Sequence, residues 1–294
     1  LEIYAGVNNV TDQQPDIGRV FYPVSAVGRF FYLGLGMDFD LFKKIIDEAK
    51  GFVSDVHLLH RGESLLHPRF FDMVRYAHEA GIVTRFHTNG TLLDEDKARR
   101  LIEAGLDQFA FSFDGMDKET YESIRVNADF DVTVRNIIRF LEIKKELGSK
   151  KPVTFIELIR FPEVFKKYDP AAQKAFLARF EGLPLDKLHI KELHNWAGDV
   201  GQAPPKTSYS PCTFLWHALI IFWDGAVLPC TQDFFGYYTL GNVRDATIRE
   251  IWNNDKMVYG GKAAIVSTQF SDAPAPMFQN PPKCWLHRQG NFIT

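Results

Sequence analysis

The sequence predicts an α/β fold: a parallel sheet, rolled as an open or closed barrel and flanked by helices, followed by a small hairpin-bearing domain. Three observations predict it. Apolar strands alternate with amphipathic helices through residues 1–195 in five or six βα units, the pattern of a parallel sheet. Turn chemistry such as Thr88-Asn89-Gly90 and Asp114-Gly115 closes strands of the series. Beyond a Pro- and Gly-containing stretch at 198–211 the alternation stops, and a hairpin and a short helix replace it.

Residues 1–7 read as the first strand. A helix over 38–50 follows, with Phe39, Phe42, Ile45, Ile46 and Ala49 on one stripe and Asp38 as N-cap. The pattern then gives a strand at 52–60, a helix at 69–80 and a strand at 82–87. Another helix spans 94–104, ended by Gly105, and a strand spans 108–113. Helices at 117–125 and 130–147, a strand at 153–159, a helix at 170–180 and a strand near 187–193 complete the series. In the last third, residues 218–223 and 226–228 flank Asp224-Gly225, a strong hairpin signal. A short helix at 245–252 follows, and residues 260–283 have no periodicity.

At 294 residues, 46% hydrophobic and 24% charged, the chain can bury a sizeable core as one large domain plus an appendage. The 26 phenylalanines suit a large apolar core. A net charge of -3 gives no electrostatic reason for a nucleic-acid or membrane partner, and no apolar run approaches the roughly 20 residues of a membrane span. No secretory signal is read, so a cytoplasmic location is expected. The sequence opens on Leu1 rather than methionine, which leaves open what precedes it. Cysteine occurs only at 212, 230 and 284. An odd count near one end does not suit a disulfide framework and fits either a metal or cluster site or unrelated buried thiols.

Ligands of parallel α/β folds bind beyond the C-terminal strand ends. That rule places Gly62-Glu63, Asn89, Ser112 and Asp114 on one rim. An acid after a tight glycine turn at such an edge is well placed for a ligand, whereas Ser112 and Arg125 serve equally as polar caps.

The order of motifs resembles the radical S-adenosylmethionine superfamily with a SPASM/twitch-type C-terminal extension. The residues that carry the resemblance are Arg61-Gly62-Glu63 with Leu65-Leu66-His67-Pro68, then Thr88-Asn89-Gly90-Thr91, Ala104-Gly105-Leu106-Asp107 and Phe111-Ser112-Phe113-Asp114-Gly115. Thr120-Tyr121-Glu122-Ser123-Ile124-Arg125 follows, and later Asp224-Gly225-Ala226-Val227-Leu228-Pro229-Cys230, Gln232-Asp233 and Leu240-Gly241-Asn242-Val243. The resemblance implies a partial (β/α)6 TIM-like barrel over 1–197, a linker at 198–211, and a SPASM/twitch-like cluster or metal-binding domain over 212–294. It also implies S-adenosylmethionine as ligand, with Gly62 and Glu63 at its amino group, Asn89 on the same rim, and Ser112 and Arg125 at its ribose and carboxylate. The motif reads Arg-Gly-Glu-Ser where the family usually has Gly-Gly-Glu-Pro.

The family's chemistry starts from a CxxxCxxC motif whose thiolates hold a [4Fe–4S] cluster. Here Val20-Phe21-Tyr22-Pro23 resembles the end of that motif, and its three cysteine positions read Pro15, Arg19 and Tyr22. The other register, Thr11, Pro15 and Gly18, is no better. None supplies a thiolate, lone carboxylates at Asp12 and Asp16 are poor substitutes, and Arg19 adds positive charge.

In the extension, Cys212 and Cys230 straddle the hairpin, and Cys284 and His287 are spaced C-x-x-H. The resemblance implies that these four hold an auxiliary [4Fe–4S] cluster. Three thiolates and an imidazole fit zinc equally well. Asp233 resembles a proton acceptor of some relatives and also reads as a turn residue. The expectation is therefore a radical-SAM-like iron–sulfur protein with a degenerate primary site, acting by binding, electron transfer or regulation. Its partners would be a small-molecule or peptide substrate, and a radical enzyme or electron donor. The alternatives are an active radical oxidoreductase or transferase, and a zinc-stabilised structural protein.

Overall fold

The computed structural model describes residues 3–8, 30–59, 62–160, 170–192, 218–231, 233 and 235–257. The primary-motif positions 15, 19 and 22, the linker at 198–211, Cys212, Cys284 and His287 lie outside them. The chain divides into two compact units, one of residues 4–34 and 49–193, the other of residues 1–3, 35–48 and 194–294.

The larger unit is built on a five-stranded sheet of β3 (Asp55–His57), β4 (Val83–Thr88), β5 (Gln108–Ser112), β6 (Val153–Arg160) and β7 (Lys187–Glu192), in that spatial order. Every pairing is parallel. Sequential order, parallel pairing and helical crossovers give the α/β, TIM-like architecture that the alternation predicts. The register sets His57 beside Arg85, His87 beside Ala110, Ser112 beside Glu157, and Glu157 beside His189.

The connecting helices are α2 (Phe70–Glu79), α3 (Glu95–Glu103), α4 (Lys118–Ile124), α5 (Phe130–Glu146) and α6 (Pro170–Leu177). Aspartates start three of them. Asp94 accepts from Lys97 N at 2.8 Å, Asp117 from Thr120 N at 2.8 Å and Asp129 from Val132 N at 2.8 Å. Each satisfies an orphan donor of the first turn, an effect of about 1 kcal/mol.

Aromatic rings fill the space between helices and sheet. Phe86 of β4 stacks on Phe109 of β5 at 5.3 Å, and Phe109 meets Phe140 of α5 at 4.7 Å. Phe113 lies 4.4 Å from Tyr121 and 5.4 Å from Phe176. The buried Tyr121 hydroxyl donates to Thr133 Oγ1 at 3.0 Å, so its polar end is satisfied. Gly115 is required at its turn, because a Cβ there would lie 2.4 Å from Tyr121 N.

The N-terminal edge of the sheet is pinned by two ion pairs, each between a buried and an exposed side chain. Asp107, just before β5, accepts from Thr84 N at 2.9 Å, Thr84 Oγ1 at 3.2 Å and Lys151 Nζ at 2.5 Å. Lys144 of α5, with 2% of its side chain exposed, reaches Asp186 Oδ2 at 3.0 Å, and the same oxygen accepts from Thr154 N at 2.7 Å.

The elements that differ most from the sequence pattern lie in the first third of the chain. The strand expected over 52–60 shortens to Asp55–His57, because Phe52 N and Val53 N both donate to Ala49 O and so finish the preceding helix. The strand expected at 1–7 is β1 (Ile3–Asn8), and it pairs with β2 (Phe30–Leu35) in a separate two-stranded sheet. The parallel sheet therefore has five strands among the described residues.

The smaller unit holds α1 (Phe39–Ala49, all but its last residue), a three-stranded antiparallel sheet and α7 (Ile248–Trp252). Asp38 caps α1, accepting from Asp40 N and Leu41 N at 3.0 Å each. The sheet runs β10 (Gly241–Asn242), β9 (Ala226–Leu228), β8 (Ile220–Ile221). Its hairpin turns at Asp224-Gly225, where Gly225 takes φ +90°, a conformation glycine adopts without steric cost. Lys44 Nζ donates to Val243 O at 2.5 Å and Ile248 N donates to Glu48 Oε2 at 2.8 Å, tying α1 to this sheet and to α7.

Candidate functional site

The five residues that the sequence places on the rim, Gly62, Glu63, Asn89, Ser112 and Asp114, lie at the ends of β4 and β5 and in the loop after β3. Glu63 opens a single 3₁₀ turn, Ser64–Leu66, and its Oε1 accepts from Leu65 N at 3.2 Å. The same oxygen accepts from Thr88 Oγ1 at 3.0 Å, and Oε2 accepts from Asn89 N at 2.9 Å. One carboxylate thus ties the loop after β3 to the end of β4. Burial raises this carboxyl above the ordinary carboxylate range, and the donors at Asn89, Leu65 and Thr88, with the Arg125 guanidinium nearby, only partly offset that.

The structure gives Glu63 bonds within the protein that the sequence reading did not include. Three protein donors occupy a group with about four acceptor sites, so its first task is to shape the edge. Gly62 stands at φ +76° beside it, and a Cβ there would meet nothing within 4 Å. Asn89 turns its side chain back on the loop, Oδ1 accepting from Thr91 N at 2.9 Å and Thr91 Oγ1 at 2.7 Å. Ser112 is the last residue of β5 and sits in register with Glu157.

Arg125, the C-cap of α4, is brought to the same edge by Asp114. Its Nη2 donates to Asp114 Oδ2 at 2.6 Å, with 12% and 3% of the two side chains exposed. Asp114 Oδ1 accepts from Ile159 N at 3.1 Å, which fixes the pair to the end of β6. Arg125 Nε is buried without an acceptor among the described residues. An orphan cationic donor beside a glycine turn is what a bound anionic group would complete.

A second polar group lies on the sheet face turned away from the helices, and the sequence reading did not assemble it. Lys191 Nζ is 2.7 Å from Glu157 Oε2, with His189 Nδ1 at 3.6 Å from the same oxygen. His87 Nδ1 is 3.8 Å from Glu157 Oε1. Beside them, Asp55 Oδ2 accepts His57 Nε2 at 2.8 Å and pairs with Arg85 Nε at 3.0 Å without hydrogen-bond alignment. Burial holds the His87 imidazole below the ordinary histidine range, against the pull of Glu157, and Lys191 and His57 push the same way.

In the smaller unit Cys230 is buried two residues beyond the end of β9. Asp233 accepts from three backbone donors: Gly236 N at 3.1 Å, Tyr237 N at 2.9 Å and Tyr238 N at 2.8 Å. That is the bonding of a residue that holds a turn. Among the described residues no three potential ligands converge on a metal position, and no helix is long and apolar enough to cross a membrane.

The fold defines a parallel α/β protein of the TIM-like barrel type, with these residues gathered at its C-terminal strand ends. The model of the radical SAM superfamily matches residues 22–158, and that of SPASM, an iron–sulfur cluster-binding domain, matches residues 212–285. The chain belongs to the radical SAM superfamily and carries a SPASM domain, a combination that implies [4Fe–4S] clusters and S-adenosylmethionine. The first match begins at Tyr22, after positions 15 and 19; the second ends before His287.

The chain is 26% identical over 265 residues to the tungsten-containing aldehyde ferredoxin oxidoreductase cofactor-modifying protein of Pyrococcus furiosus, covering 76% of this chain and 74% of that one. It shares the fold of Streptococcus suis SuiB bound to the precursor peptide SuiA, with TM-score 0.60 and 15% identity over 76% of this chain and 59% of that one. A likeness of another kind is short and strong. Over 45 residues the chain is 57% identical to the osmoprotective compounds-binding protein GgtB of Synechocystis, covering 15% of this chain and 11% of that protein. A stretch of that length carries no solute-binding function over to this chain.

Proposed function

We propose that this chain is a radical-SAM-type iron–sulfur protein that binds its ligands without generating the radical. The observation that carries the reading is that the first cysteine of the chain is Cys212. The primary cluster needs three thiolates at positions that here read Pro15, Arg19 and Tyr22, so the residues do not fit that cluster. No step is assigned to it.

The adenosyl ligand does fit the rim. Gly62 gives backbone access, Glu63 holds the loop that presents it, Arg125 offers a donor to an anionic group, and Ser112 ends β5 on the same sheet edge. In the SPASM domain Cys212, Cys230, Cys284 and His287 would hold an auxiliary [4Fe–4S] cluster, which supplies an electron store when bound. Zinc is the alternative for the same donors. Asp233 serves there as the turn residue that positions the segment after Cys230. The barrel and SPASM ranges, 1–197 and 212–294 with a linker between, belong to this reading, as does a small-molecule or peptide ligand. A cytoplasmic location and a partner radical enzyme or electron donor complete it.

Anaerobic reconstitution of the full chain with iron and sulfide, followed by reduction with S-adenosylmethionine, tests it. The expected result is at most one cluster, about four irons per chain, and no 5′-deoxyadenosine. About eight irons with 5′-deoxyadenosine release would overturn the reading and favour an active radical enzyme. Zinc alone would keep the barrel reading and remove the electron-transfer version. Calorimetry with S-adenosylmethionine tests the rim separately: Glu63→Gln is expected to weaken binding at least about tenfold, or 1.4 kcal/mol.

A further inference from the structure

We propose that the sheet face turned away from the helices is a binding site for an organic carboxylate, held by Lys191, His87 and His189 around Glu157. This deepens the proposed function by naming the class of the second ligand, and it does not depend on whether the adenosyl ligand binds.

The argument starts from strand parity. Side chains alternate across a strand, and Phe86, Phe109, Phe111 and Ile156 go to the aromatic core with the helices. Their neighbours Arg85, His87, Ser112 and Glu157 therefore share the opposite face, as do Asp55 and His57 of β3 and Lys187, His189 and Lys191 of β7. Strand β7 reads Lys-Leu-His-Ile-Lys, a strict alternation in which Leu188 packs on the core. On the intervening strand β5, Ala110 pairs with His87 and Ser112 with Glu157, and these two small side chains let His87 and Glu157 converge across it.

The charge on this face selects the ligand. Among the described residues its fixed cations are Arg85, Lys187 and Lys191, and its carboxylates are Asp55 and Glu157. Each carboxylate already has cationic or imidazole neighbours, Arg85 and His57 for Asp55, Lys191 and His189 for Glu157. The imidazoles of His57, His87 and His189 add N–H donors. Donors thus exceed open acceptors, and they remain accessible, with 47% of the His189, 34% of the Lys191 and 30% of the His87 side chain exposed. A bound carboxylate would favour the protonated form of His87, so binding is linked to proton uptake.

The test uses succinate as the probe, with putrescine and succinamide as cationic and neutral counterparts, on the full chain labelled with ¹⁵N-histidine. Succinate is expected to shift the imidazole resonances of His87 and His189 and to bind about fivefold tighter at pH 6 than at pH 8. Lys191→Gln should weaken it about tenfold, and His87→Gln should flatten the pH dependence. If either variant melts early, His189→Gln, on a half-exposed side chain, replaces it. Putrescine bound in place of succinate, no succinate shift up to about 50 mM, or an affinity independent of pH would each overturn the proposal. None of these outcomes bears on S-adenosylmethionine binding, so the two readings fail separately.

Discussion

The two edges of the parallel sheet carry buried carboxylates of opposite character. At the N-terminal edge Asp107 is held below the ordinary carboxylate range: burial works to raise it, but the bonds from Lys151 and Thr84 together outweigh burial. At the C-terminal edge Glu63 is pushed up, because burial outweighs its donors. One edge has satisfied its charge with a lysine and a threonine of the same protein. The other leaves a carboxyl incompletely compensated and an arginine nitrogen without an acceptor among the described residues. On the proposed reading, the contrast separates residues that only stabilise the barrel from residues that also shape its ligand edge.

Removing Asp107 should produce the largest loss of stability. Asp107→Ala leaves the buried Thr84 N–H unpaired and frees Lys151, and is expected to cost about 3 kcal/mol. Urea unfolding checks the loss, and calorimetry should show S-adenosylmethionine affinity unchanged. A loss of binding at constant fold would mean that the two edges are coupled. Glu63→Gln should cost less, about 1–2 kcal/mol, because an amide keeps one acceptor for Thr88 or Asn89. Here binding, not stability, should suffer most.

The edges also respond to acid in opposite directions. Asp107 has a depressed folded value, so its contribution is full above the unfolded value of about 3.9 and is lost as pH falls through the folded one. Glu63 has a raised folded value, so its ionised form costs stability once pH rises through the folded value, and that cost disappears in acid. Below about pH 4 the wild type should therefore lose stability through Asp107, and Asp107→Asn should lose distinctly less. Urea midpoints from pH 7 to pH 3 measure this, and an unchanged acid slope in the variant would assign the loss to other carboxylates.

Much of this barrel was legible in the chain because its signals are local. Asp94, Asp117 and Asp129 announce their helices, and the alternation of Val83–Thr88 announces a half-buried strand. The rim was legible by rule, since Asn89, Ser112 and Asp114 directly follow or end strands. The face around Glu157 was not, because its members come from four strands and meet only through register. The signal existed in Lys187-Leu188-His189-Ile190-Lys191, whose polar alternation is unlike a strand buried on both faces. The inward bonding of Glu63 was hidden for the same reason, since its partners Thr88 and Asn89 lie some 25 residues away.

The smallest stability effect gives the sharpest test of the two edges. Gly62 and Gly81 stand at φ +76° and +78°, and a Cβ at either would meet nothing within 4 Å. Gly81 lies between α2 and β4, at the N-terminal edge, and Gly62 at the C-terminal one. Alanine at either position pays the same left-handed backbone penalty of about 1 kcal/mol and clashes with no protein atom. Equal stability losses are therefore expected from Gly62→Ala and Gly81→Ala in urea. Their effects on S-adenosylmethionine binding should differ, because only at Gly62 would the added methyl stand where the ligand approaches the backbone. If both variants bind like wild type, the ligand does not approach Gly62, and the rim has been placed on the wrong loop.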